Sequence, residues 1–387
     1  MKYLIFLYRS YSDGDYEPHI STHGKPRRTA TLAFALGATY ANERGFTRLG
    51  KLSITWAKQC EMAATEKAEE RNLPANSPAM IRHILKHSSA MIEFADGNIE
   101  QALQEARDSV SVAVDKRNII SGYVCTVRLL AESGVDNTAL LEAFSRAVST
   151  ADSLPGTDKA NYSTIPLSTF LAAGQVYIAT GNFKDGMDMM LLGCSVYASC
   201  YLFLLVGICC LRLDLMQDAE DALEEANLID NRNPNVWAYL TLLCLGDTTG
   251  RRLFEASRCL EQSLRLGLTG PDSASLLREL ATAHVSVDKL STAEDLLRRC
   301  LRAEAASSSN GKSTAYSRKL LADVLVGQNL LANAVEEYRS VISDEEGDIQ
   351  MRLEACEGCI SLLAALGRDE EIRAVAAISD SLKRSTN

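Results

Sequence analysis

The pattern of apolar and polar positions is clearest in residues 200–245. Apolar side chains recur there at helical spacing, including Phe203 on a first segment and Ala219 and Leu223 on a second. The polar segment LIDNRNPN interrupts the pattern, and Trp237 resumes it at the phase of Phe203, 34 residues later. This stretch therefore predicts a helical hairpin followed by the first helix of another hairpin.

A period of 34 residues made of paired helices is typical of the tetratricopeptide repeat. Traced along the chain, it predicts an all-α fold, namely a tetratricopeptide-type α-solenoid of about nine helical hairpins in a right-handed superhelix. The solenoid is expected over residues 29–380, with less regular repeats in 29–152 and the most regular ones in 167–345. Residues 1–28 are expected to be irregular, residues 381–387 to form a frayed tail, and the segment AEAASSSNGKST to be a flexible insert.

Small residues recur where the two helices of a predicted hairpin cross. Gly207 and Ala219 occupy such positions in the central stretch, and Gly186 replaces the usual alanine in the preceding hairpin. Small side chains let two helices approach closely, while large apolar side chains fill the remaining space. We therefore interpret Gly207, Ala219 and Trp237 as packing residues, so that each hairpin buries one face against its neighbour.

The composition argues against two classes of partner. The chain has 387 residues, of which 47% are hydrophobic, and a formal net charge of −10. Nucleic acids and anionic membranes are bound through basic surfaces, so neither is expected as a partner. The longest apolar run, residues 201–211, is interrupted by Gly207 and is too short to span a bilayer, and no signal peptide is evident. We therefore expect a soluble, cytoplasmic protein.

The eleven cysteines lie mostly at apolar helical positions. This placement predicts small buried thiols in a reducing compartment rather than disulfides. Cys356 and Cys359 have the CxxC spacing of metal and redox sites, but neither a second pair nor a nearby histidine completes a set of about four zinc ligands. We interpret both as core residues and expect no metal site.

Two other motifs resemble ligand sites without meeting their requirements. The NGKS segment at residues 310–313 resembles the end of a phosphate-binding loop, but alanine stands at position 306, where that motif requires glycine. His83 and His87 are four residues apart and could share a helix face, but they lack the HExxH context, so a solvated face is expected. With no set of catalytic side chains in view, the sequence predicts neither enzymatic activity nor a cofactor.

In this architecture the first helix of each pair lines an inner groove. The predicted groove is apolar and aromatic at its centre and partly basic toward the C-terminus, which suits an amphipathic helix or extended segment of another protein. Some of these side chains, such as Leu204 and Ile208, could instead pack against neighbouring hairpins. The candidate partner-binding residues are Tyr201, Leu204, Ile208, Arg212, Leu242, Arg278, Tyr316 and Lys319, and Leu171, Gln175, Thr282 and Asp323 are expected to point the same way.

The segments TFLAAGQVYIATGNF and FLLVGICCLRLDLMQDAEDALEEANLIDNRNPNVWAYLTLLCL carry a family resemblance over about residues 170–245. Together they resemble the C-terminal repeats of the cilia- and flagella-associated protein seventy family. The resemblance implies a non-enzymatic structural role in the motility of cilia or flagella, with proteins of the central apparatus or the dynein arms as partners. The chain departs from that family in lacking its long N-terminal region and in continuing well over 100 residues past the Trp237 helix, soon after which the family is expected to end.

The sequence supports two functional hypotheses. The first is a scaffold in the cytoskeleton of the cilium or flagellum, in its axoneme. The second is a general cytosolic adaptor for trafficking or for a chaperone. Chaperone-binding modules of this repeat class resemble each other in a Lys/Asn/Lys/Arg set on successive inner helices, whereas only Arg278 and Lys319 are basic at the matching positions, so that role is not expected. An enzyme would require titratable groups that converge in a pocket.

Overall fold

The computed structural model describes residues 24–70, 78–247, 249–268, 273–306, 311–344 and 347–386. Every regular element in these ranges is a helix. The helices are α1 (Gly24–Glu43), α2 (Thr47–Glu70), α3 (Ala79–Ala95), α4 (Ile99–Val112), α5 (Lys116–Ser133), α6 (Asn137–Asp152), α7 (Asp158–Tyr162), α8 (Leu167–Thr180), α9 (Phe183–Val196), α10 (Cys200–Arg212), α11 (Met216–Ile229), α12 (Pro234–Leu245), α13 (Leu253–Leu266), α14 (Ser273–Ser286), α15 (Leu290–Ala306), α16 (Gly311–Gly327), α17 (Leu331–Ile342), α18 (Ile349–Ala365) and α19 (Asp369–Thr386).

The all-α class and the helical pairing are confirmed. Apart from the five-residue α7, the helices of the described ranges follow one another as nine pairs. The chain divides into two compact units, unit 1 being Met1–Asp214 and unit 2 being Leu215–Asn387. The division falls between α10 and α11, inside the stretch of residues 200–245 where the sequence pattern is clearest.

Three boundaries differ from those predicted. Helix α1 begins at Gly24, so residues 24–28 are helical rather than irregular, and residues 1–23 lie outside the described ranges. Helix α19 continues to Thr386 and buries Leu382, so most of the predicted frayed tail is ordered helix. In the predicted flexible insert, α15 extends to Ala306 and α16 begins at Gly311, while residues 307–310 lie outside the described ranges.

Local capping explains where several helices begin and end. Asn233 precedes α12, and its side-chain oxygen accepts a hydrogen bond from the backbone N–H of Asn235 at 3.0 Å. Pro234 then occupies the first turn, where its missing N–H has no helical partner in any case. The polar segment before Trp237 is therefore a helix-start signal.

At the end of α8, Gly181 adopts a left-handed backbone conformation with φ of 76°, in which a residue with a side chain would be strained.

The core of unit 1 is built around aromatic contacts. The Phe144 and Phe170 rings are both fully buried and meet edge to face, with 5.4 Å between their centroids. Phe170 also contacts the ring of Tyr197, whose hydroxyl donates to the carbonyl of Ile165 at 2.8 Å. Helices α6, α8 and α9 are thereby joined around one aromatic cluster.

The core of unit 2 is mainly aliphatic. It is a continuous cluster of leucine, alanine, valine and cysteine side chains that runs from Ala238 on α12 to Leu382 on α19. Cys356 and Cys359 belong to this cluster and are both 0% exposed, so the interpretation of this pair as core residues is confirmed. Because each pair contributes to the same continuous core, unit 2 has the neighbour-on-neighbour packing of a repeat array.

Gly186 on α9 marks a close helix approach in unit 1. A Cβ atom at this position would lie 2.8 Å from the Cβ of Tyr177 and 3.4 Å from the Sγ of Cys209. The Tyr177 Cβ is attached directly to the backbone of α8 and cannot turn aside. The crossing therefore requires glycine, which is why the usual alanine is absent.

We predict that Gly186→Ala forces α8 and α9 apart and destabilises the protein by about 1–3 kcal/mol, the usual cost of overpacking a core. Gly327→Ala is the matched control. There the nearest atom, 3.0 Å away, is a terminal methyl group of Leu290, which can rotate, and alanine favours the helix over glycine. Urea unfolding followed by circular dichroism should show a lower midpoint only for Gly186→Ala. Equal midpoints for Gly186→Ala and the wild type would contradict the close approach.

Candidate functional site

The groove residues predicted on α10 fall into two classes. Tyr201 is 57% exposed and Arg212 is also exposed, so both can meet a partner. Leu204 and Ile208 are each only 6% exposed. Helix α10 is apolar around nearly its whole circumference, and such a helix is buried on most sides. The assignment of Leu204 and Ile208 to a binding surface is therefore wrong, and both are packing residues.

In unit 2 the structure brings several candidates together on one surface. We call this surface, formed by Arg278 on α14, Tyr316, Lys319 and Asp323 on α16, and Glu354 on α18, the first-helix face. The Arg278 guanidinium lies 5.4 Å from the centre of the Tyr316 ring. The Lys319 Nζ lies 3.1 Å from Glu354 Oε2 and 3.7 Å from Asp323 Oδ2. The first helices of three successive pairs thus share side-chain contacts.

The remaining candidates lie outside this cluster. Leu242 is half-buried and packs against the core of unit 2. Leu171 on α8 is likewise half-buried, whereas Gln175 and Thr282 are exposed. Within unit 2, therefore, Tyr316 is the predicted groove residue that offers the largest exposed apolar surface, with 42% exposure.

Arg278 has a structural task that the sequence does not reveal. Its Nη1 lies 3.3 Å from Glu304 Oε1, and only 1% of the Glu304 side chain is exposed. Ser317 Oγ donates to the same carboxylate oxygen at 2.9 Å and accepts from Arg278 at 3.3 Å. A buried carboxylate is costly unless it is paired and hydrogen-bonded. The Arg278 guanidinium therefore compensates the charge of the Glu304 carboxylate, which lies in the segment predicted to be a flexible insert.

The other charges of the first-helix face are also balanced within the chain. Burial opposes the charge of Lys319, but the hydrogen bond and charge of Glu354, together with Asp323, outweigh it and raise the pKa of the ammonium group. The hydrogen bond from Lys319 in turn lowers the pKa of Glu354. Tyr338 donates its hydroxyl proton to Asp323, and burial together with this bond raises the pKa of Tyr338. The basic residues of this face are thus already matched by carboxylates.

His83 and His87 do not form a solvated face, so that expectation is wrong. His83 is 3% exposed, and its Nδ1 lies 2.9 Å from the carbonyl oxygen of Ser109. The two imidazole rings are 6.0 Å apart. Burial lowers the pKa of His87 to about 4, and the charges of His83 and Arg128 act in the same direction. Both histidines are part of the packing between α3 and its neighbours.

A pocket of about 350 Å³ in unit 2 was not predicted from the sequence. It is lined by Trp237 of α12 and by side chains of α13, and we call it the Trp237 pocket; its α13 residues are Arg258, Cys259, Glu261, Gln262 and Arg265. The signal that could have found it is the spacing of Arg258, Gln262 and Arg265, which places three polar side chains on one helix face. Helix α13 is the second helix of its pair and so lies outside the first helices that the repeat pattern assigns to the groove.

The described part of the chain shows neither a cluster of metal-binding side chains nor a helix that could span a membrane. No group of three or more histidine, cysteine, aspartate or glutamate side chains is arranged to hold a metal ion there. In the same ranges no helix combines the length and apolar character needed to cross a bilayer.

Comparison with known proteins identifies relatives of the chain. The sequence model of the cilia and flagella-associated protein 70 C-terminal domain matches residues 77–357. The cilia- and flagella-associated protein 70 of Homo sapiens is 36% identical over 118 residues, which are 30% of this chain and 10% of that protein. The protein of the same name from Macaca fascicularis has the same identity over the same length, or 11% of its sequence. The matched part of the chain thus spans about a tenth of these relatives.

A tetratricopeptide repeat protein from Parabacteroides merdae is a structural neighbour, with a TM-score of 0.44, 13% identity, and coverage of 77% of this chain and 99% of that one.

The match to the family's sequence model corrects one expectation. Similarity to the family does not end soon after the Trp237 helix, because it continues to residue 357.

We predict that His87 makes the stability of the protein depend on pH. Between the unfolded pKa of about 6.5 and the folded pKa of about 4, the unfolded state binds a proton that the folded state does not. Stability is therefore complete above the unfolded value and falls as the pH is lowered toward the folded one, by on the order of 2 kcal/mol at pH 5. In urea unfolding, the free energy of unfolding should therefore fall less between pH 7.5 and pH 5 for His87→Gln than for the wild type, by this amount.

His284 also has a lowered pKa because of burial, and it is present in both proteins, so the comparison isolates His87. Identical pH dependence in the wild type and His87→Gln would contradict a half-buried, neutral imidazole.

A second prediction separates structural from surface charges on the first-helix face. Arg278→Ala leaves the Glu304 carboxylate buried without its guanidinium and should cost about 3–5 kcal/mol. Lys319→Ala breaks only partly exposed ion pairs and should cost about 0–1 kcal/mol. Adding Glu304→Gln to Arg278→Ala should recover much of the lost stability, because the buried charge is removed. Chemical unfolding of the three variants checks this order, and similar losses for Arg278→Ala and Lys319→Ala would refute it.

Proposed function

The chain belongs to the family of the cilia and flagella-associated protein 70 C-terminal domain, and we propose that it is a non-catalytic scaffold that binds other proteins of the cilium or flagellum. The observation that carries this proposal is the family match over residues 77–357, which includes most of the helical pairs. The matched region spans about a tenth of the length of the named relatives, so the scaffold role of the whole protein is part of this proposal.

The chemistry of the described surfaces supports a binding role. The first-helix face presents a stable set of paired ions around the exposed ring of Tyr316, and α10 presents the exposed ring of Tyr201. Aromatic side chains of this kind are the usual anchors in protein interfaces. The ion pairs link neighbouring helices, so a partner would meet a surface whose charges are already paired.

Within this role we infer that the partners are proteins of the axoneme, in the central apparatus or the dynein arms. A general cytosolic adaptor for trafficking or for a chaperone is the alternative. Arg278 and Lys319, the basic residues that could hold the acidic end of a chaperone, are instead engaged with Glu304 and Glu354. This pairing favours the ciliary scaffold over a chaperone clamp.

Localisation separates the two roles. In ciliated cells that express the tagged chain, we expect the protein to be enriched in the cilium and to stay with the axoneme after detergent extraction. A diffuse cytosolic signal without ciliary enrichment would reject the axonemal role and favour the adaptor.

Capture of partners tests the exposed aromatic anchors. We predict that Tyr201→Ala combined with Tyr316→Ala lowers the amount of axonemal protein captured from a flagellar extract by about fivefold, since truncation of an interface anchor costs more than about 1 kcal/mol. Both side chains are exposed and the contact of Tyr316 with Arg278 is worth only about 0.5–1 kcal/mol, so the thermal unfolding temperature should fall by no more than about 4 °C. Phe46→Ala is the control, because Phe46 is 63% exposed but lies outside the matched family region. Equal capture by both variants would show that these rings are not anchors.

A further inference from the structure

The Trp237 pocket has walls that are held in place by hydrogen bonds. Trp237 Nε1 donates to the carbonyl oxygen of Asn231 at 2.8 Å, which fixes the orientation of the indole. Ser263 Oγ donates to the carbonyl oxygen of Pro234 at 2.9 Å, which fixes α13 against the start of α12. Cys259 is only 7% exposed and forms part of the wall. A ligand would therefore enter a site that is already formed.

The pocket carries two arginines that are not neutralised. Arg258 and Arg265 are both exposed, and neither has a carboxylate within ion-pair distance among the residues that the structure describes. Arg258 lies over the ring of Phe254 at 5.9 Å, and Arg265 donates to the amide oxygen of Gln262. By contrast, Arg252, just before the same helix, forms two ion pairs. Its Nη2 lies 2.7 Å from Glu220 Oε1, and its Nε lies 2.9 Å from Glu255 Oε2.

This unpaired positive charge stands out in a chain with a net charge of −10. The charged residues that line the pocket are the two arginines and one acidic residue, Glu261. The lining therefore has an excess of one positive charge. Guanidinium groups bind carboxylates through paired, charge-assisted hydrogen bonds. The site therefore suits an anion that also offers apolar surface to the indole.

The spacing of the two arginines sets the length of the ligand. Arg258 and Arg265 are seven residues apart on α13, which corresponds to about 10 Å along the helix axis. In an extended peptide, side chains alternate between the two faces, so residues i, i+2 and i+4 share one face. Carboxylates four residues apart are then separated by about 13 Å along the chain, a distance that the two long arginine side chains can span. An acidic segment of five or more residues can thus reach both guanidinium groups, and the side chain midway between the two carboxylates, on the same face, can lie against Trp237.

We propose that the Trp237 pocket binds an acidic, extended peptide segment of a partner protein, with carboxylates at Arg258 and Arg265 and an apolar side chain against Trp237. This proposal deepens the proposed function, because it names the chemistry of one partner of the scaffold. A nucleic acid fits less well, since its closely spaced phosphates would meet the net negative charge of the chain.

The test uses the purified full chain and a fluorescein-labelled peptide Glu-Glu-Phe-Glu-Glu, which places phenylalanine midway between two carboxylates on the same face. Fluorescence anisotropy should show saturable binding that the matching glutamine peptide does not show. Arg258→Gln combined with Arg265→Gln should weaken binding by at least about tenfold, as expected for the loss of two charge-assisted contacts. Arg298→Gln combined with Arg299→Gln is the control, because it removes the same charge from α15, where these arginines pair with Glu294 and Asp295. It should change binding by less than about twofold.

A second variant keeps both arginines. Gln262→Glu places a carboxylate between them and should also weaken binding, while circular dichroism stays unchanged because α13 keeps its helix-forming composition. Unchanged binding in the pocket variants would overturn the proposal. Equal losses in the pocket and control variants, or tighter binding of an oligodeoxythymidine than of the acidic peptide, would do the same.

These outcomes are separate from those of the ciliary role. A chain that enters the cilium but does not bind the acidic peptide overturns only the pocket assignment. A chain that binds the peptide through the pocket but remains diffuse in the cytosol overturns only the ciliary scaffold.

Discussion

A helix pair of this kind cannot bury its apolar face alone, so every pair depends on contact with its neighbours. The closeness of that contact is set by small residues at the crossings. Gly186 meets the Cβ of Tyr177 so closely that even a methyl group would not fit, and a Cβ at Gly174 would lie 2.6 Å from the sulfur of Met190. These approaches fix how neighbouring helices stack and therefore which side chains remain outside the core.

The same packing divides the charged residues into three kinds. Arg278 lies between helices and compensates the buried Glu304, so its charge stabilises the fold. Lys319 and Glu354 link successive first helices and balance each other at the surface. Arg258 and Arg265 do neither of these things, because α13 presents them to solvent beside an indole. A partner can therefore gain most where the chain has not already paired its own charges.

Much of the repeat architecture could be predicted, because a helical period and its interruptions are local properties. The number of helical pairs and the core position of Cys356 and Cys359 both follow from them. Directions around a helix are harder to predict. On α10 nearly every side is apolar, so the pattern does not indicate that Leu204 and Ile208 point inward. The buried state of His83 likewise depends on the carbonyl group of Ser109, which lies in the following helix.

The sequence by itself determined the class of the fold, the helical pairing and the family, because apolar spacing and motifs are written in consecutive residues. The tertiary structure decided what the charged side chains do. Glu304 lies 26 residues from Arg278, in a segment whose composition resembles a flexible insert, and only folding brings the two together. The Trp237 pocket also exists only after α12 and α13 pack, since contacts between separate helices arise from their geometry and not from local sequence.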